Sequence, residues 1–133
     1  MSAFLDTSVV VRYLTGDSPE LAEQAAQIID GEDGLKITDV VLAETAYVLT
    51  SIYQVPREVV VDHLIIFLQK RNISPFALDK GLVLQALLLC RPSGRVSFAD
   101  ALVWAAARSA DSNVVYSLDE RFPADGLEVR RRP

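Results

Sequence analysis

One cysteine, Cys90, and one histidine, His63, are all that the chain carries of the two side chains most used for soft metal sites. A lone cysteine allows no disulfide framework and no thiolate metal site within one chain. No uncharged apolar run reaches the ~18–20 residues that a membrane span needs. No basic segment precedes the apolar residues at the N-terminus, so no signal peptide is expected. Repeats, low-complexity tracts and linkers are missing as well. An excess of positive charge is also lacking: Lys and Arg number 13 against 18 Asp and Glu, for a net charge of −5. That balance argues against a protein that coats nucleic acid non-specifically. It leaves a nuclease open, because carboxylates that hold divalent cations lower the formal charge while making the loaded site cationic. These absences predict one soluble, cytoplasmic domain spanning residues 1–133.

What is present is an apolar share of 50% beside a charged share of 23%. Disorder is thereby excluded, and 133 residues suffice to bury a core. The apolar share is somewhat high for this size, which implies that some apolar surface is covered by a partner. The one dense basic run, Arg130-Arg131-Arg132, reads as solvated, with contact to a phosphate backbone or an acidic partner as the alternative.

The stretch from Ala3 to Leu14 organises the chain. A short apolar run reaches Asp6, two hydroxyl residues follow, and apolar residues then resume at helical spacing. This is a buried strand turning directly into a helix, with a carboxylate at the junction. Further on, Asp17-Ser18-Pro19-Glu20 starts a helix whose apolar face is Leu21, Ala25, Ile28 and Ile29. Leu35-Lys36-Ile37 is a strand, followed by the cap signal Thr38-Asp39 and a helix from Val40 to about Ile52. Pro56 opens a helix with Val59, Val60, His63, Leu64, Phe67 and Leu68 on one side. Ile73 to Phe76 reads as an extended edge piece. Asp79 caps an all-round apolar helix to about Cys90, and Ser97 caps another from Phe98 to about Ala110. Val114-Val115-Tyr116 and the region of Leu127-Glu128-Val129 complete the strands. Short apolar strands alternating with helices predict a parallel sheet covered on both faces.

In such a sheet the strand ends and the following helix starts share one edge, where ligands bind. Asp6 and Asp119 end strands, Asp100 lies in the first turn after Ser97, and Glu44 follows the second strand by about a turn and a half. Each has a bland reading. Asp6 can cap its helix, Asp100 completes an S-x-x-D capping pattern, and Asp119 suits a turn. Asp39 is explained by its cap role. Glu44 is different, because Val40, Val41 and Val48 put it on an apolar helix row, where an unpaired charge is costly. Taken together, clustered carboxylates repel unless a cation neutralises them. With oxygen ligands alone, Mg²⁺ or Mn²⁺ is the matching ion. Such ions polarise phosphoryl oxygens and lower the pKa of water.

Leu5-Asp6-Thr7-Ser8, Val41-Leu42-Ala43-Glu44, Phe98-Ala99-Asp100-Ala101-Leu102 and Ser117-Leu118-Asp119-Glu120-Arg121-Phe122 resemble, in order and spacing, the motifs of PIN-domain proteins. Within that group the chain is similar to VapC-type toxins of toxin–antitoxin pairs. The resemblance implies an α/β fold, a PIN-like three-layer sandwich with a short central parallel sheet flanked by helices. It implies a Mg²⁺- or Mn²⁺-dependent endoribonuclease, usually a homodimer, inhibited by a small cognate antitoxin protein that occupies the site. Carried over by position, Asp6, Asp100 and Asp119 would be metal ligands and Glu44 a ligand or water-orienting base. Thr7 and Ser117 would be supporting hydroxyls. Ser8 stands where many relatives have Asn, and Ser97 where many have another Asp.

Arg12 and Arg95 are candidates for contact with RNA phosphate or antitoxin, against a solvated reading. His63 reads as a core or interface histidine, Cys90 as a small buried hydrophobe, and Trp104 and Tyr47 as packing. Two rival enzymes fail on residues. A haloacid-dehalogenase-type phosphatase needs a second Asp where Ser8 stands, and a receiver domain needs a Lys where Ser117-Leu118-Asp119 offers none. A non-catalytic module, whose acids hold a structural cation or a basic partner segment, is the alternative of a different class.

Overall fold

The computed structural model describes residues 2–133. The elements run β1 (Ala3–Phe4), α1 (Thr7–Thr15), α2 (Pro19–Gly31), β2 (Leu35–Ile37), α3 (Asp39–Tyr47), a π-helical turn (Val48–Ile52) and α4 (Arg57–Leu68). β3 (Ile73–Pro75), α5 (Lys80–Cys90), α6 (Phe98–Ser109), β4 (Val114–Tyr116) and β5 (Glu128–Arg130) follow. This is the expected mixture of short parallel strands and flanking helices.

One expectation is corrected in detail. The strands form two parallel ladders, β1-β2-β3 and β4-β5, where a single sheet was read from the alternation. The strands are two or three residues long, and helix caps follow β1 and β2 within two residues. Ladders that short carry few hydrogen bonds, so the helices supply most of the cohesion. Ala3 pairs with Leu35, and Leu35 with Ile73, which fixes the order of the first ladder. In β2, Leu35 and Ile37 are buried while Lys36 between them donates to the Ser74 hydroxyl at 3.3 Å.

Helix ends follow local chemistry. Asp6, Thr38, Asp79 and Ser97 each accept a backbone N–H with their side chains, satisfying donors that the first turn leaves open. The cap of α3 is thus Thr38, and Asp39 is the first helical residue. Gly16 ends α1 at φ 62°, a left-handed conformation that a side chain would strain. The helical reading from Val40 to about Ile52 holds, with Val48–Ile52 wound as a π turn directly after α3. There the Thr50 hydroxyl donates to Ala46 O at 2.8 Å and competes with the regular backbone pattern.

The core gathers Val10, Ile29, Leu35, Ile37, Leu42, Leu64, Phe67, Ile73, Leu87 and Trp104. Trp104 is packed as expected and its indole N–H donates to Asp125 O at 3.1 Å. Cys90 is buried, and burial pushes its thiol up to about 11. Three packing readings are corrected. Leu21 and Ile28 lie at the surface, so α2 buries only Ala25 and Ile29 fully. His63 is exposed, on the flank of α4 beside the buried Val60 and Leu64, so of its core and interface readings the core one is corrected. Tyr47 is exposed at 62%. Much of the apolar excess stands outside, at Val40, Ile52, Val103 and Leu118 among others. No helix among the described residues is long and apolar enough to cross a membrane.

Asn72 ties two elements together: its amide donates to Ile29 O at 2.6 Å and to Glu32 O at 2.8 Å, serving carbonyls at the end of α2. Asn72→Ala leaves both without that donor, and should lower unfolding stability by about 2 kcal/mol in urea denaturation.

Candidate active site

Asp6 stands at the junction of β1 and α1. Its Oδ2 accepts the Ser8 hydroxyl at 2.7 Å and the Ser8 N–H at 3.2 Å. These bonds, the hydroxyl foremost, hold its carboxyl below the usual range. Both Ser8 bonds fall on Oδ2, the Thr7 N–H adds a weaker pull, and no described side chain donates to Oδ1. The cap reading of Asp6 is therefore correct, and it leaves the acid available for chemistry.

Asp119 follows β4 in a tight turn. Its own N–H donates to the Ser117 hydroxyl at 3.1 Å, so Ser117 shapes the turn that presents the acid. The carboxylate is gripped by Arg121. Oδ1 accepts the Arg121 N–H at 2.9 Å and its Nε at 3.1 Å, while Oδ2 accepts the other guanidinium arm at 3.2 Å. Arg121 holds the Asp119 carboxyl below the usual range, and the charge of Arg95 adds to this. The Arg121 guanidinium is raised by Asp119 first and also feels Asp100. Asp100, Asp119, Arg95 and Arg121 thus form one electrostatic group.

Asp100 sits in the first turn of α6. Its N–H donates to Ser97 Oγ at 3.0 Å, but its half-buried carboxylate accepts nothing from a described residue. Only half of the capping pattern forms. Glu44 is a correction. It is exposed, because the buried stripe of α3 is Leu42, Thr45 and Ala46, continued by Leu49, and Glu44 points away from it. The apolar row that includes Val40, itself 70% exposed, is an outer surface and not core. Glu44 lines a cleft of about 750 Å³ together with Tyr47, Arg57, Ser97 and Phe98, which brings it beside the start of α6. Arg12 pairs with Asp17 at 2.8 Å, in a network with the Tyr53 hydroxyl. The terminal arginines are partly neutralised, Arg130 by Glu128 and Arg131 by Glu120.

Among the described residues no three Asp, Glu, His or Cys side chains stand close enough together to hold a metal ion. Like charges repel, and Asp6 and Asp119 have each taken a separate partner. In kind, however, the residues fit a hard divalent cation. All the donors are oxygen. A guanidinium already occupies a cation position on Asp119, within the field of Asp100. The buried side-chain atoms without a partner are Thr7 Oγ1 and Thr45 Oγ1, each directly following a candidate acid. Buried hydroxyls left unpaired call for an explanation.

Arg121 is the residue that sequence reasoning missed. Its signal was present, two positions after Asp119, the spacing at which an Asx turn brings an arginine back onto the acid. For Asp6, Ser8→Ala removes the shorter of the two bonds. The Asp6 pKa should rise toward the ordinary carboxylate value in a carboxyl-detected NMR titration. A lowered native pKa adds stability above the ordinary pKa, and this is lost as pH falls through the native one. Ser8→Ala should therefore shrink that acid-side contribution.

No curated protein and no solved structure matches the chain significantly. The PIN domain family matches it over residues 3–125, a span that contains all four candidate acids. PIN domains are generally nucleases and typically use divalent metals. The chain belongs to the PIN domain family.

Proposed function

We propose that this PIN domain is a Mg²⁺- or Mn²⁺-dependent endoribonuclease, the toxin of a type II toxin–antitoxin pair. The observation that carries the reading is the forked Arg121–Asp119 pair, whose guanidinium also feels the charge of Asp100, together with an Asp6 whose Oδ2 accepts both Ser8 bonds. Asp6, Asp100 and Asp119 would hold the cation, with Glu44 at the rim of the same region. When bound, the cation polarises the phosphoryl oxygen, lowers the pKa of water and stabilises the leaving oxyanion. The chain itself supplies position. Ser8 fixes Asp6, Ser117 fixes the turn of Asp119, and Glu44 accepts a proton from water as its oxygen attacks phosphorus and the bond to the 3′ oxygen breaks. Arg95, on the Asp119 side, is the cation best placed for the RNA phosphates, whereas Arg12 is engaged by Asp17.

Asp6→Asn is the decisive variant because Asn caps a helix as well as Asp. The fold should survive, while Mn²⁺-dependent RNA cleavage falls about 100-fold or more. Cleavage by wild type should also stop with chelator. Retained cleavage in the variant would sink the assignment of Asp6, whereas a wild type without metal-dependent cleavage would favour the non-catalytic module, in line with the open arrangement of the acids.

A homodimer fits the same reading. Val40 and Val103 are exposed and, with Ala43, Ala99 and Leu102, line one shallow apolar hollow between α3 and α6. A second copy of the chain covers it, and the cognate antitoxin occupies the acidic region. Val40→Glu should shift the molar mass from dimer to monomer in light scattering. An unchanged dimer would place the contact elsewhere.

A further inference from the structure

Arg121 is the side chain most at odds with a metal site, since it lies on a ligand. Its fork uses both oxygens of Asp119, at 3.1 and 3.2 Å, and leaves neither free of a positive neighbour. The backbone N–H of Arg121 makes the turn bond at 2.9 Å without help from the side chain. The guanidinium is therefore not needed to shape the turn. It is also 61% exposed, against 37% for Asp119, so water can receive it when it leaves. Exposed ion pairs contribute little to stability, which makes this one easy to exchange. A divalent cation carries twice the charge and prefers carboxylate oxygen.

We infer that Arg121 is a built-in counter-ion that competes with the divalent cation for Asp119, so that its hold sets the metal concentration at which the site loads. The inference rests on the metal-site reading above. The pair neutralises Asp119 while the acids lack a shared cation and limits their mutual repulsion. Arg121 acts through Asp119 and is a positioning residue, not a catalytic one.

Mn²⁺ binding measured by calorimetry on the intact protein, without RNA, tests this. Arg121→Gln should bind Mn²⁺ about tenfold more tightly than wild type, the effect of removing one positive charge close to the ion. Arg121→Lys keeps the charge and should stay near wild type. Arg71→Gln changes net charge equally from the loop that leads into the start of β3, and should move affinity by no more than about twofold because distant exposed charges are screened. Arg121→Gln binding no more tightly than Arg71→Gln overturns the counter-ion role. Asp119→Asn separates the two claims: if it binds Mn²⁺ as wild type does, the metal is not at Asp119 and the site reading fails with the inference. A wild type that binds no Mn²⁺ overturns both.

Discussion

Negative charge at the start of a helix is the constraint on which this molecule depends. The N-terminal turn of a helix leaves N–H groups open and carries a partial positive charge, so carboxylates and hydroxyls are favoured there. Here the strands are two or three residues long, and after β1 and β2 a helix begins almost at once. Asp6 caps α1, Asp79 caps α5 and Asp100 lies in the first turn of α6. The same local rule that stops a strand thus collects acids. An acid placed for stability becomes an acid placed for chemistry when a second element presents another nearby.

The acids are held in different ways, and the differences matter. Asp6 is held by neutral donors, Ser8 on Oδ2 foremost, and no cation pairs with its charge among the described residues. Asp119 is fixed by a full positive charge on both oxygens. Asp100 has only a share in that charge. Glu44, in the open cleft, is held by nothing among the described side chains. The candidate acids therefore differ in the partners that hold them, with the Arg121 ion pair at the end where β4 delivers its acid.

Much of the fold was legible because period and punctuation are local. The helix starts at Pro19, Pro56, Asp79 and Ser97 and the strands at Leu35 and Val114 could be read within a few residues. What was not legible depended on neighbours. Val40, Glu44 and Val48 share a helical row, but the row that faces the core is decided by what packs on α3, and Leu42, Ala46 and Leu49 won that contact. Leu21 and Ile28 match the helical period of α2 yet find no partner within the chain. The division into two ladders depends on strand length, which apolar runs define poorly. Thr50 drawing its helix into a π turn is a choice among carbonyls that no periodicity records. Three of the candidate acids were legible as cap or turn residues, whereas the rotamer of Arg121 that forks onto Asp119 was not.

An acidic protein with an acidic site must gain positive charge from somewhere before a polyanion can approach it. At a net charge of −5 the long-range field repels any polyanion, and the carboxylates at the helix starts add to it. The arginines do not remove that barrier, because Arg12, Arg130 and Arg131 are each paired with an acid. Arg121 and Arg95 stand where the repulsion is greatest, yet one of them is spent on Asp119. A divalent cation among the carboxylates would reverse the sign locally and free that guanidinium at the same time. Loading the site and attracting the substrate are then one electrostatic event, which is how an acidic chain can work on nucleic acid without a basic face.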